Sequence, residues 1–176
     1  VLLNRIICAG GRLCGGFVRD YLIRGESFND IDFTFNCKWP EPYASWRFIR
    51  TSKGRETAEN IIDGMKYHCV NLEPTDLTCN LFLFDGVSVF PRPCFQYRDK
   101  PIDYSEAWEM LLQKKFVMQV PAFKNVKLRA KLIKRGWEHC GVGLSIKTIA
   151  QPPSHGPWSD FTLAKERFDA LAVSNK

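Results

Sequence analysis

The most constraining stretch of the chain is residues 11–35, GRLCGGFVRDYLIRGESFNDIDFTF. Its pattern predicts a short strand, a Gly-Gly turn, an amphipathic helix, a loop and a second strand carrying two aspartates. Gly15 and Gly16 lack a Cβ, so the backbone can reverse tightly there and approach a ligand closely. A helix that starts after such a turn aims its unbonded N–H groups and positive dipole end at whatever lies above, a seat suited to phosphate. Asp30 and Asp32 stand two apart on the second strand and therefore project to one face. Paired carboxylates repel unless a cation offsets them, and hard oxygen ligands of this kind suit Mg²⁺ or Mn²⁺. A phosphate cradle facing a carboxylate pair is equipment for phosphoryl or nucleotidyl transfer. Each half of the pattern also has a plainer origin: Gly-Gly before a helix makes an ordinary turn, and D-x-D occurs in exposed loops.

Other segments follow from periodicity and punctuation. Residues 17–24 place Phe17, Val18, Tyr21 and Leu22 at core spacing, with Gly25 as a stop. The strand at 31–35 alternates Asp32 and Thr34 against Ile31, Phe33 and Phe35, so one face packs and the other is polar. Residues 38–54 read as a loop with a short element at 44–49; Trp46, Arg47 and Arg50 fit either base stacking with phosphate contact or the capping of a core. Residues 55–63 read as a weak helix ending at Gly64, 66–72 as a third strand, and 77–84 as a fourth whose apolar run fits a central position. On that strand Asp76 and Asn80 share a face with Thr78, placed to hold a ribose hydroxyl or to brace a metal site; Asp76 after Pro74 also fits a turn. VSVFPRPCFQYRDKP reads as a connecting loop, and 103–115 as a helix capped by Asp103 with Glu106 at capping-box spacing.

From Met110 to Trp137 there is no acidic residue. Projected on a helix at about 100° per residue, residues 124–137 gather Val126, Leu128, Ala130, Leu132, Ile133 and Trp137 on one arc. Lys124, Lys127, Lys131, Lys134 and Arg135 gather opposite, while Arg129 falls within the apolar arc and is expected to point inward. A basic face of this kind fits a nucleic-acid backbone and equally a solvated lysine surface. Residues 141–158 read as a loop, after which Ser159 caps a last amphipathic helix from Asp160 to about residue 173. The net charge of +6 leans toward a polyanionic partner. Seven cysteines, odd in number and without C-x-x-C, and three dispersed histidines make neither a disulfide framework nor a zinc site. Reduced thiols in an intracellular compartment are expected. No run approaches the ~20 apolar residues of a membrane span, and VLLNRIICAGG holds too short an apolar run for a secretory signal.

GGFVRDYLIRGESFNDIDF resembles the GG-x-V-R-D-x-L…D-x-D signature of the nucleotidyltransferase head domain in CCA-adding enzymes and bacterial-type poly(A) polymerases. A second block agrees: Asp76-Leu77-Thr78-Cys79-Asn80, with the Asp85-Gly86 turn behind it, resembles that family's R-R-D-F/L-T-I-N-A-L segment. The likeness covers residues 11–90. It implies an α/β (α+β) fold: a small mixed sheet of the polymerase-beta-like palm type with flanking helices. Residues 1–100 would be the catalytic head and 101–176 a short, basic helical extension. It further implies attack of an RNA 3′-hydroxyl, on tRNA or another RNA, at the α-phosphate of a nucleoside triphosphate. Asp30 and Asp32 would hold Mg²⁺ or Mn²⁺. Gly15, Gly16 and Arg19 would cradle the triphosphate while Asp20 braces the turn. Asp76 and Asn80 would position the sugar. Leu128-Arg129-Ala130 resembles the segment from which an arginine reaches the triphosphate, and Lys124, Lys127, Lys131, Lys134 and Arg135 would follow RNA.

Three departures stand beside the likeness. Pro74 and Thr75 replace the paired arginines, the strand at 66–72 offers His68 or Glu73 where a third carboxylate is expected, and no Glu-Asp-x-x-Arg base-selecting segment is found. They keep open a nucleotide- or RNA-binding, or interaction, module that has lost turnover. The absence of room for the family's long helical body keeps open a head that works with a second subunit.

Overall fold

The computed structural model of the chain describes residues 2–35, 47–50, 56–62, 64–70, 77–97, 103–118, 126–142 and 145–174. Helix α1 (Leu2–Cys8) leads into strand β1 (Arg12–Cys14), a π-helix over Phe17–Ile23, and strand β2 (Asp30–Thr34). Then come β3 (Arg47–Arg50), β4 (Glu56–Ile62), β5 (Met65–Cys69), a 3₁₀ turn at Thr78–Asn80, β6 (Phe82–Phe84), β7 (Val89–Pro91) and β8 (Cys94–Tyr97). The remainder holds α2 (Tyr104–Leu112), β9 (Lys115–Met118), α3 (Val126–Lys134), β10 (Glu138–Val142), β11 (Ser145–Ala150), a 3₁₀ turn at Pro157–Asp160 and α4 (Leu163–Ser174). The fold is α+β. Its main sheet is mixed, in the order β3-β4-β5-β2-β1-β6-β7, with β2 and β5 parallel. Two compact units interleave along the sequence: Val1–Glu73, Leu83–Val89 and Phe161–Lys176 make the first, Pro74–Phe82 and Phe90–Asp160 the second.

In the first unit, β2 follows the alternation of its residues as far as Phe33, with Ile31 and Phe33 buried and Asp30 and Asp32 half-buried, but Thr34 is buried as well. Phe33 is in register with Cys69 on β5 and Leu13 on β1, and Leu13 with Phe84 on β6. All four are fully buried, so an apolar row crosses four strands. Each large side chain in it contributes about 1.5–3 kcal/mol relative to exposure. The π-helix buries Phe17, Val18, Leu22 and Ile23. The Phe17 ring stacks on Tyr21 at 5.5 Å and meets Phe28 edge-on at 4.7 Å. Helix α4 buries Ala164, Phe168 and Ala172 along one stripe, with the Phe168 ring 5.3 Å from Phe84.

In the second unit, Asp103 caps α2 by accepting from the Ser105 and Glu106 N–H groups, as the capping-box spacing predicts. The Phe82 ring lies 5.0 Å from Trp108 and 5.5 Å from Trp158. Strand β9 pairs in parallel with β10, and β8 pairs antiparallel with β11.

Several elements differ from their sequence expectation. Residues 56–62 form a strand, not a weak helix, because β4 is bonded on both sides, to β3 and to β5. Pairing partners outweigh local propensity there. The strand expected at 77–84 breaks at Thr78–Asn80, where Asn80 N–H donates to Leu77 O at 3.1 Å, so Thr78 and Asn80 do not share a strand face. The Thr78 hydroxyl instead accepts from Val117 N–H at 2.9 Å. The stretches read as loops at 87–101 and 141–158 contain β7, β8 and β11, and the second takes in the last two residues of β10. Helix α2 stops at Leu112; Lys114 takes a left-handed φ of 62° and turns the chain into β9. Helix α3 buries Leu132, but Val126 and Ile133 are 46% and 50% exposed, because so short a helix rests on β10 along a line and not across a broad face. Ser159 does not cap α4: its hydroxyl accepts from Gly156 N–H at 3.0 Å, and α4 begins at Leu163. Among the described residues, no helix is long and apolar enough to cross a membrane.

Candidate functional site

Strand β2 presents Asp30 and Asp32 on its half-buried face. Asp32 is held from two sides. Gly15, directly after β1, has φ 65°, and an ideal Cβ placed on it would sit 2.6 Å from Asp32 Oδ2. Only a glycine lets the carboxylate lie against the turn in this way. On the other side, His68 of β5 is in register with Asp32, and its Nδ1 lies 3.3 Å from Asp32 Oδ1. The same parallel pairing sets Lys66 beside Asp30. Adjacent positions of paired strands point to the same face, so a lysine and an imidazole accompany the two carboxylates. The side chains of His68 and Asp32 are 28% and 26% exposed, open enough for a ligand to reach them.

Gly16 caps the π-helix, and a Cβ there would come within 3.3 Å of Arg19 Nη2. Arg19 donates through Nε to Asp20 Oδ1 and through Nη2 to Asp20 Oδ2, both at 2.7 Å. This two-pronged pair is buried, its side chains 5% and 6% exposed. The guanidinium therefore underlies the Gly-Gly turn as a brace. One residue beyond His68, the Cys69 thiol is pushed up to about 12 by burial, so it stays protonated and unreactive in the folded chain.

The structure thus brings Gly15, Gly16, Arg19, Asp30 and Asp32 into one neighbourhood of the first unit. Asn80 lies half-buried in the 3₁₀ turn of the second unit, and Arg129 half-buried on α3. Lys127, Lys131 and Lys134 are exposed on α3, as is Arg135 just past its end. Asp76 and Lys124 fall outside the described residues, together with Trp46, Pro74 and Thr75. Lys66 was not singled out from the sequence, and His68 stood there only in place of an absent carboxylate. The alternation of Lys66 and His68 against Tyr67 and Cys69 is visible in the sequence, but the strand it pairs with is not.

Among the described residues, no group of three or more His, Cys, Asp or Glu side chains is placed to hold a metal ion. The two β2 carboxylates, with Asp32 held against the turn, form a set that Mg²⁺ can use when water and phosphate oxygens complete its shell. Comparison of the chain with protein-family models found no matching family, and comparison with curated proteins found no significant match.

Proposed function

We propose that this chain is a metal-dependent nucleotidyltransferase, adding nucleotides from a nucleoside triphosphate to an RNA 3′ end on a polymerase-beta-like palm. The observation that carries the reading is the seat of Asp32, fixed between the Gly15 backbone and His68 on a strand face shared with Asp30. Asp30 and Asp32 are the residues that would hold Mg²⁺. When bound, that ion supplies positive charge to the α-phosphate and lowers the pKa of the attacking hydroxyl. The chain's own part is positional. Gly15 keeps a side chain out of the space beside Asp32, and the buried Arg19–Asp20 pair stiffens the turn from below. Roles of Asp76, Asn80 and Arg129 toward sugar and triphosphate rest on the resemblance alone. The exposed Lys127, Lys131, Lys134 and Arg135 are suited to RNA phosphates.

The test is incorporation of each labelled nucleoside triphosphate into short RNA primers with Mg²⁺, in wild type and Asp32→Ala. Wild type is expected to extend the primer, and Asp32→Ala to lose roughly a hundredfold or more of the rate.

A nucleotide- or RNA-binding module without turnover is the second reading. Two observations favour it. Lys66 stands beside Asp30 and the His68 ring lies 3.3 Å from Asp32, so each carboxylate has a neighbour other than a bound cation, and the Arg19 guanidinium is engaged in a buried pair. Binding of Mg·ATP by wild type without any extension would leave that reading beside a head that works with a second subunit, and turnover with and without candidate partners separates the two.

A further inference from the structure

The π-helix ends in a way that involves the far end of the chain. A π-helical run longer than a single turn is rare and needs support. Gly25, at φ 71°, donates its N–H to Tyr21 O at 2.9 Å, and Glu26 N–H donates to Asp20 O at 2.7 Å. This is the glycine closure of an α-helix widened by one residue; in the α form the same two donors reach Leu22 and Tyr21. The widening leaves the Leu22 carbonyl to another donor, and the Ile23 carbonyl is open at the end of either form. Arg167 of α4 takes both, its Nη1 donating to Leu22 O at 2.9 Å and to Ile23 O at 2.8 Å. In return, the Tyr21 hydroxyl donates to the Arg167 carbonyl at 3.2 Å. Gly25 also makes the room: a Cβ on it would lie 2.9 Å from Arg167 Nη2 and 3.0 Å from Cζ.

We propose that Arg167 is a positioning residue for the Asp32 site. By occupying the Leu22 and Ile23 carbonyls it holds the segment in its wide register, and that register sets the Arg19–Asp20 brace beneath the Gly15–Gly16 turn against Asp32. The competing state is the ordinary α closure. It satisfies Leu22 O from within the segment, and it becomes the better arrangement once the guanidinium is gone. Tightening the last turns rotates Arg19 and Asp20 away from the turn they support, and the carboxylate that rests on Gly15 moves with it. The functional half of this inference rests on the proposed nucleotide site; the structural half does not.

The experiment uses the full chain, ¹⁵N-labelled, as wild type, Arg167→Lys, Arg167→Ala and Gly25→Ala, with amide spectra and exchange rates recorded beside calorimetric titration with Mg·ATP. A lysine satisfies one carbonyl at a time, so Arg167→Lys is expected to stay folded. Its Gly15 and Gly16 amide resonances should move, and its Glu26 amide protection and Mg·ATP affinity should each fall roughly tenfold. Gly25→Ala should produce the same displacements from the opposite side of the contact. Added methylguanidinium should restore the Gly15 and Gly16 resonances of Arg167→Ala. A folded Arg167→Lys with unmoved Gly15 and Gly16 amides and unchanged affinity, even with a lowered melting temperature, overturns the proposal. If Arg167→Ala does not fold, Arg167→Lys and Gly25→Ala decide. If wild type binds no Mg·ATP, the proposed function fails while the amide displacements still uphold or overturn the positioning role.

Discussion

Gly15 carries a double demand that no other residue type meets. Its φ of 65° lies in the left-handed region, and its missing Cβ is the space into which Asp32 Oδ2 reaches. Gly15→Ala is expected to cost about 1–2 kcal/mol of backbone strain and to push the carboxylate aside, seen as a lower urea midpoint together with loss of primer extension. Asp20→Ala removes two charge-assisted hydrogen bonds from a buried guanidinium, and equilibrium unfolding should show a loss of about 1.5–3 kcal/mol. Cys69 gives a pH signature. Its thiol is held neutral to about 12 in the folded chain against an ordinary value of 9.0, so above about 9 the unfolded state gives up its proton first. The stability linked to this thiol is therefore whole below 9 and is lost as pH climbs toward 12. Wild type should lose stability more steeply than Cys69→Ala between pH 9 and about 11. Thiol labelling at pH 8 should modify exposed Cys8 and Cys140 at once, and buried Cys14, Cys69 and Cys79 only on unfolding. At this scale the aspartates and glycines were legible because their geometry is local. The imidazole and ammonium beside them were not, since the β2–β5 pairing joins positions 30–33 to 66–69 and leaves no trace in either segment alone.

Elements were legible where periodicity or a cap marks them and opaque where pairing alone decides. Helix α2 announced its start through Asp103, yet its end depends on Lys114 adopting a conformation usually left to glycine. Lys114→Gly is expected to relieve about 1 kcal/mol and raise the melting temperature by roughly 2–4 °C, readable by calorimetry. Strand β4 has no alternation to betray it and owes its state to neighbours on both edges. The helix after the Gly-Gly turn was expected as an α-helix at core spacing. Its π form is set by donors outside the segment, so local propensity could not have disclosed it.

For the whole molecule, charge is the property most readily tested. If the basic face of α3 meets RNA, replacing Lys127, Lys131 and Lys134 together with glutamine should lower the log–log salt slope of single-strand binding by about 2. An unchanged slope assigns those lysines to solvent. The interleaving of the two compact units carries another consequence. The clasp by Arg167 spans 145 and 144 positions of chain to its two acceptors. At roughly 5–20 residues per second of synthesis, the donor arrives about 7–30 s after the carbonyls it must hold. A nascent chain therefore displays both aspartates well before the turn beside them is clasped, and a product terminated ahead of residue 167 carries Asp30 and Asp32 without the Arg167 contacts.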